Sequence, residues 1–307
     1  MKKENARFNK DILGYAFALL ATILWSGNYV IARRLYDQIP PISLASWRWA
    51  IAIVVLAPFA YRELKSEWGL IRKHLRYLCG TALLGITLLN TFVYIAGRSS
   101  EAIKLSIITA AAPVFTILFA SHLFKEPITR RRGIGLSLSI SGIFVLISGG
   151  NISNILELRF SNGDIWILLS AMSFSGYSIL VKKKPIEMGN TTFLFSIFVL
   201  GWLFLLPFHF WEHQTQGDWV LTINVLGNLL YLALGASIVA LFAWNKAVEF
   251  VGPSGAAIIY YTLPIFSSIE AAMFLRENLK VIHALSFLLI VSGIVIANRN
   301  TPKPVLT

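Results

Sequence analysis

Ten apolar stretches separated by short polar segments set the pattern of this chain: 12–32, 42–61, 77–97, 105–124, 133–150, 165–181, 193–211, 223–245, 254–275 and 281–298. Each is about as long as a helix that crosses a hydrocarbon core, roughly 17–25 residues. Helices also satisfy their own backbone hydrogen bonds, which lipid cannot do for them. The pattern predicts an all-α integral membrane protein with ten transmembrane helices. Composition agrees, since 56% of the 307 residues are hydrophobic and only 14% are charged, against about 25% charged in an ordinary soluble domain. Only two charged residues, Arg48 and Glu270, fall inside a stretch.

Charge changes the picture by giving it a direction. With the N-terminus inside, 19 of the 27 Lys and Arg residues fall in cytoplasmic segments, including Arg72, Lys73, Arg130, Arg131, Arg132, Lys182, Lys183 and Lys184. Seven face the other side: Arg33, Arg34, Arg98, Lys104, Arg159, Arg276 and Lys280. The excess of basic residues on one side places both termini in the cytoplasm of a multi-pass protein of the cell (inner) membrane. This bias and attraction to anionic membrane lipid account for the net charge of +12. A nucleic-acid partner would need a basic face on a water-exposed module, and the pattern leaves room for none. The basic opening segment MKKENARFNKDIL leads into a 21-residue apolar run without a small-x-small cleavage site, so it reads as a retained first helix. Cys79 is the single cysteine, which excludes an internal disulfide.

The second half repeats the first. Pro113-Val-Phe leads to Glu126, and Pro264-Ile-Phe leads to Glu277 at the same spacing. Ser141-Gly142-Ile143 recurs as Ser292-Gly293-Ile294, Leu84-Gly85 as Leu234-Gly235, and Phe92-x-Tyr94 as Phe242-x-Trp244. Trp25-Ser26-Gly27 is echoed by Phe174-Ser175-Gly176. Each half holds five stretches, and an odd number makes the second copy enter the membrane from the opposite side. The expected organisation is a first five-helix repeat over 1–150, a linker over 151–163, and an inverted repeat over 164–307.

On these residues, together with Arg48 early in the second helix, the chain resembles the EamA-type members of the drug/metabolite transporter superfamily. The resemblance covers almost the whole chain and implies ten helices in two inverted repeats, and transport. It leaves the substrate open, because the superfamily moves amino acids, quaternary amines, nucleotide sugars and drugs. One departure is that 193–203, FLFSIFVLGWL, carries no counterpart of Arg48.

Candidate site residues follow from what lipid makes expensive. Proline lacks an N–H and clashes with the carbonyl four residues earlier, so Pro113 and Pro264 are expected to free the carbonyls of Thr109 and Tyr260. A symmetric pair of interrupted helices lines the midplane site of many transporters; a packing kink is the plainer alternative. At similar depth lie Trp25, Asn28, Tyr29, Asn90, Tyr94, Ser175, Tyr177, Trp244 and Tyr261. Tyr94 and Trp244 also fit an interfacial aromatic belt, and the two asparagines fit hydrogen bonding between helices. Arg48 and Glu270 have matched depth, roughly 7–9 Å below the outer surface at ~1.5 Å per residue. They are candidates for a charge pair or for coupling, with snorkelling of Arg48 as the alternative.

Catalytic signatures are absent: the five histidines lack metal spacing, and no nucleotide loop or nucleophile elbow occurs. No cofactor or metal is expected. The reading is a secondary transporter working by alternating access on a small-molecule substrate, exporting amino acids or related amines, with proton coupling left open. Its alternatives are uptake of a quaternary amine or other small solute and, from another class, a membrane-embedded enzyme or scaffold. The chain is expected to act as a monomer or weak homodimer.

Overall fold

The computed structural model describes residues 2–124, 129–151, 161–181 and 183–298. Glu126, most of the 151–163 linker, Lys125, Arg159, Lys182, Arg299 and Lys303 lie outside them. Among the described residues every regular element is helical. The order is α1 (Lys2–Arg34), α2 (Pro41–Ser66), a short α3 (Trp68–Lys73), α4 (Leu75–Ala82), a π-helical segment π1 (Leu83–Leu88) and α5 (Leu89–Gly97). Then come α6 (Ala102–Ala110), α7 (Ala112–Phe124), α8 (Arg130–Ile147), α9 (Asn162–Val181) and α10 (Asn190–Gln216). The chain continues with α11 (Ile223–Leu230), a second π segment π2 (Tyr231–Val239), α12 (Ala240–Tyr260), α13 (Leu263–Leu275) and α14 (Val281–Asn298).

Among the described residues seven segments are long and apolar enough to cross a membrane: Lys10–Arg34, Pro41–Ser66, Leu75–Gly97, Ala102–Phe119, Asn162–Val181, Asn190–Gln216 and Ile223–Val251. Leu263–Leu275 and Val281–Ala297 are shorter apolar helices. The fifth apolar stretch forms α8, whose first three residues are arginines. The eighth and ninth stretches meet inside α12. In a straight helix Trp244 and Tyr260 would stand about 24 Å apart along the axis, yet their ring centroids are 5.8 Å apart. The chain therefore folds back within α12. Ala247 and Ala256 accordingly pack in one cluster with Ala18.

The two halves interlock. Helix α1 packs along α12 and α13, while α9 packs along α5, α6 and α7 of the first half. Helices α2 and α10 run antiparallel, and each supplies a carboxylate at the start of the other. Glu212, late in α10, accepts from the N–H groups of Ile42 and Ser43 at 3.1 and 2.6 Å. Glu67, just past α2, accepts from the N–H of Gly189 at 2.9 Å, one residue before α10. The Ser-Gly-Ile repeats lie where α8 crosses α14. A Cβ at Gly135 or Gly293 would meet the other's carbonyl oxygen, and one at Gly142 would meet Ile290. Ser139 Oγ donates to the Ile290 carbonyl at 3.1 Å across the same crossing. Small residues let two apolar helices approach where lipid gives no hydrophobic drive.

Candidate functional site

Arg48 is the centre of the polar interior. It lies on α2, is 3% exposed, and donates to groups from both halves. Its Nη1 reaches Asn28 Oδ1 and Asn90 Oδ1 at 2.8 Å each and Tyr94 Oη at 2.7 Å. Its Nε reaches Ser237 Oγ at 2.8 Å, and its Nη2 reaches the Ala236 carbonyl at 3.3 Å. Tyr94 in turn donates to Asn28 Oδ1 at 3.0 Å. The guanidinium also sits 4.9 Å over the Trp49 ring.

The π2 segment makes this arrangement possible. A π turn widens the helix and shifts its hydrogen-bond register, and such turns recur at functional sites. Here Ser237 Oγ donates five residues back, to the Leu232 carbonyl at 2.9 Å, while it accepts from Arg48. The Ala236 carbonyl turns inward and accepts from both Trp25 Nε1, at 3.0 Å, and Arg48. The first half holds the same device at the corresponding place, π1, where Thr87 Oγ1 donates to the Gly201 carbonyl at 2.9 Å. No arginine answers it: the α10 position matching Arg48 is Ile197, which is fully buried.

Aromatic rings gather beside the polar cluster. Trp25 lies 5.3 Å from Trp244 and 5.9 Å from Tyr260, and Phe174 stacks on Tyr260 at 5.9 Å. Trp25, Trp244 and Phe174 are half-buried, so their faces are only partly covered. The Tyr29 hydroxyl faces those of Thr109 and Tyr260. Tyr177 lies against Gly85, where a Cβ would collide with its ring. Ser175 donates to the carbonyls of Ala112 and Ala171 at 2.7 and 2.8 Å. Tyr261 is half-buried at the break between α12 and α13.

The two prolines end up in equivalent places, by a route other than a bent helix. Helix α6 stops at Ala110 and α7 starts afresh with Pro113 second; α12 stops at Tyr260 and α13 starts with Pro264 second. In a first turn the missing N–H would have had no partner anyway. The two breaks carry matching bonds: Ala111 N–H to the Ile108 carbonyl at 3.0 Å and Thr262 N–H to the Ile259 carbonyl at 2.9 Å. Val114 to Ala111 and Ile265 to Thr262 follow, both at 2.9 Å.

Arg48 and Glu270 are not brought together. Glu270 accepts from Ser26 Oγ at 2.7 Å on one oxygen, and its other oxygen is buried without a partner. Ser26 and Asn28 are two residues apart on α1, hence about 200° apart around it. The carboxylate and the guanidinium therefore flank α1 on opposite sides. Adjacency depends on azimuth, which depth along a helix does not fix.

Glu277, thirteen residues after Pro264, does something the spacing did not reveal. Arg276 takes a left-handed conformation with φ 57°, and Glu277 then accepts from the N–H groups of Ala102 and Ile103 at 2.9 and 3.1 Å. It caps α6 from the other half. Burial pushes its carboxyl above the ordinary glutamate value, with the two N–H groups pulling back. Phe174 stands in the repeated aromatic-Ser-Gly motif without being marked there as a site residue, and Ala236 and Ser237 were not singled out from sequence. The repeated Leu-Gly pair falls inside both π segments and marks their place in the sequence, though not their register. Among the described residues no group of three or more His, Cys, Asp or Glu is placed to hold a metal.

A family model described as the EamA-like transporter family matches residues 12–148 and 161–299. An uncharacterized transporter of Archaeoglobus fulgidus is 25% identical over 279 residues, covering 90% of this chain and 93% of its own. The uncharacterized inner membrane transporter YedA of Escherichia coli K12 is 26% identical over 296 residues, covering 93% and 90%. The uncharacterized transporter YetK of Bacillus subtilis is 22% identical over 307 residues, covering 99% and 92%. A solved structure described only as a crystal structure of a protein has a TM-score of 0.60 at 17% identity, over 93% of this chain and 96% of that one. That likeness establishes a shared fold.

Proposed function

The chain belongs to the EamA-like transporter family, and from that premise we propose that it is a secondary transporter exporting amino acids or related amines by alternating access. In this reading ten helices form two inverted repeats, with both termini on the cytoplasmic side of the inner membrane. The antiparallel α2–α10 pair, the two π segments and the matched proline breaks support the inversion; the bias of basic residues supports the orientation. One observation carries the functional part. Arg48 is held by groups from both halves, Asn28, Asn90 and Tyr94 from one and Ala236 and Ser237 from the other. A polar node shared between halves, next to half-covered aromatic rings, is where a rocking motion of one half against the other would act on a solute.

Uptake of a quaternary amine is the second reading, favoured by the ring cluster alone, since cation–π contacts contribute ~0.5–2 kcal/mol each. Purified protein in liposomes, loaded with labelled amino acids and amines, tests both, with and without a proton gradient. Efflux of amino acids faster than from protein-free liposomes is expected. Transport of neither class would sink the proposal.

A further inference from the structure

The hydrogen-bond inventory of Arg48 leaves something over. A guanidinium has five N–H donors. The one on Nε goes to Ser237, and the two on Nη1 are surrounded by Asn28, Asn90 and Tyr94. The two on Nη2 have only the Ala236 carbonyl, at 3.3 Å, and that oxygen is already shared with Trp25 Nε1. One N–H therefore has no acceptor, on the nitrogen that shares the Ala236 carbonyl with the Trp25 indole.

The charge is also unmatched. Every group bonded to Arg48 is neutral, and no described carboxylate pairs with it. Glu270 is across α1, Asp164 is bound to Lys104 at 2.7 Å, and Glu212 and Glu277 are committed to helix starts. Buried charges in a protein interior are normally paired, because an isolated one is costly to keep from water. The free donor and the unmatched charge belong to one guanidinium, whose Nη2 shares an acceptor with Trp25 of the ring cluster.

Resting on the transporter reading above, we propose that the solute carries a carboxylate that seats on the Nη2 side of Arg48, with the rest of its body against Trp25, Trp244, Tyr260 and Phe174. A planar guanidinium edge suits a planar carboxylate. A single negative charge matches the single positive one, whereas a dianionic phosphate would leave a charge over. The substrate class is thus narrowed from amino acids or amines to carboxylates, amino acids among them. An amine without a carboxylate lacks the anchor.

The test uses a matched set on purified full-length protein: phenylalanine, 3-phenylpropionate and phenethylamine, with leucine and isovalerate as aliphatic members, read by calorimetric titration and by counterflow in liposomes. Carboxylate-bearing members are expected to bind and phenethylamine not to. Arg48→Gln should weaken carboxylate binding at least about thirtyfold, the loss seen when one partner of a buried hydrogen-bonded charge pair is removed. Arg48→Lys, which keeps the charge, serves if the glutamine variant does not fold, and the wild-type comparison needs neither. Binding of the amine as tight as that of the carboxylates overturns the assignment, as does binding of no carboxylate in the set. Carboxylates that bind through Arg48 but give no counterflow would leave the anion site standing and remove the transport reading.

Discussion

Replacing Ser237 by alanine and Thr87 by valine compares the two π segments with and without an arginine. The hydroxyls occupy matching places and both residues are buried, at 0% and 4% exposure. Ser237 accepts from the Arg48 guanidinium at 2.8 Å and donates to the Leu232 carbonyl at 2.9 Å. A hydrogen bond to an ionised partner contributes about 1.5–3 kcal/mol, and a neutral one inside a membrane protein averages about 0.6 kcal/mol. Ser237→Ala should therefore cost about 2–4 kcal/mol. Thr87 donates only to the Gly201 carbonyl at 2.9 Å, and valine preserves its shape, so Thr87→Val should cost about 0.6 kcal/mol. Reversible unfolding in mixed micelles titrated with dodecyl sulfate measures both on one scale. Equal losses, or a larger loss at Thr87, would refute the claim that the guanidinium anchors π2.

Pro113→Ala and Pro264→Ala should leave the protein folded, because each position is in a first helical turn that accepts alanine. Turnover should fall by similar factors in both, since the restored N–H lets the broken helices fuse; unchanged turnover in both contradicts this. Glu277 predicts a pH dependence. Its carboxyl titrates higher in the folded state than the ordinary 4.5, so folding favours the protonated form. That stability is fully present below about pH 4.5 and is lost as pH rises through the folded value. Unfolding free energy should thus decline with rising pH over that interval, with a shallower slope in Glu277→Gln; parallel slopes would exclude the effect.

Apolar lengths and the repeat were legible because lipid imposes them locally: a span needs its residues in one run, and Gly, Pro and Ser-Gly-Ile recur in sequence. The π segments were not legible. Nothing in Leu83–Leu88 or Tyr231–Val239 encodes an i+5 register by itself, and the register is supported by groups far away in the chain, Gly201 for one and Trp25 with Arg48 for the other. The same holds for Glu67 and Glu212, which carry no mark in the sequence, and for Glu277, legible only as the end of the repeated Pro-to-Glu spacing. Each caps a helix of the opposite half, a relation that exists only after the halves interlock. Arg48 was visible as an expense; which five groups meet that expense was not.

Access to the ring cluster is the direct measure of whether the shared node opens to both sides. Phe174→Cys in a Cys79→Ser background puts one thiol among the half-covered rings, and a membrane-impermeant maleimide can be offered from either face of oriented vesicles. Alternating access predicts labelling from each face in separate experiments, slowed from both by a bound carboxylate. Labelling from one face only, whatever the solute, would contradict it.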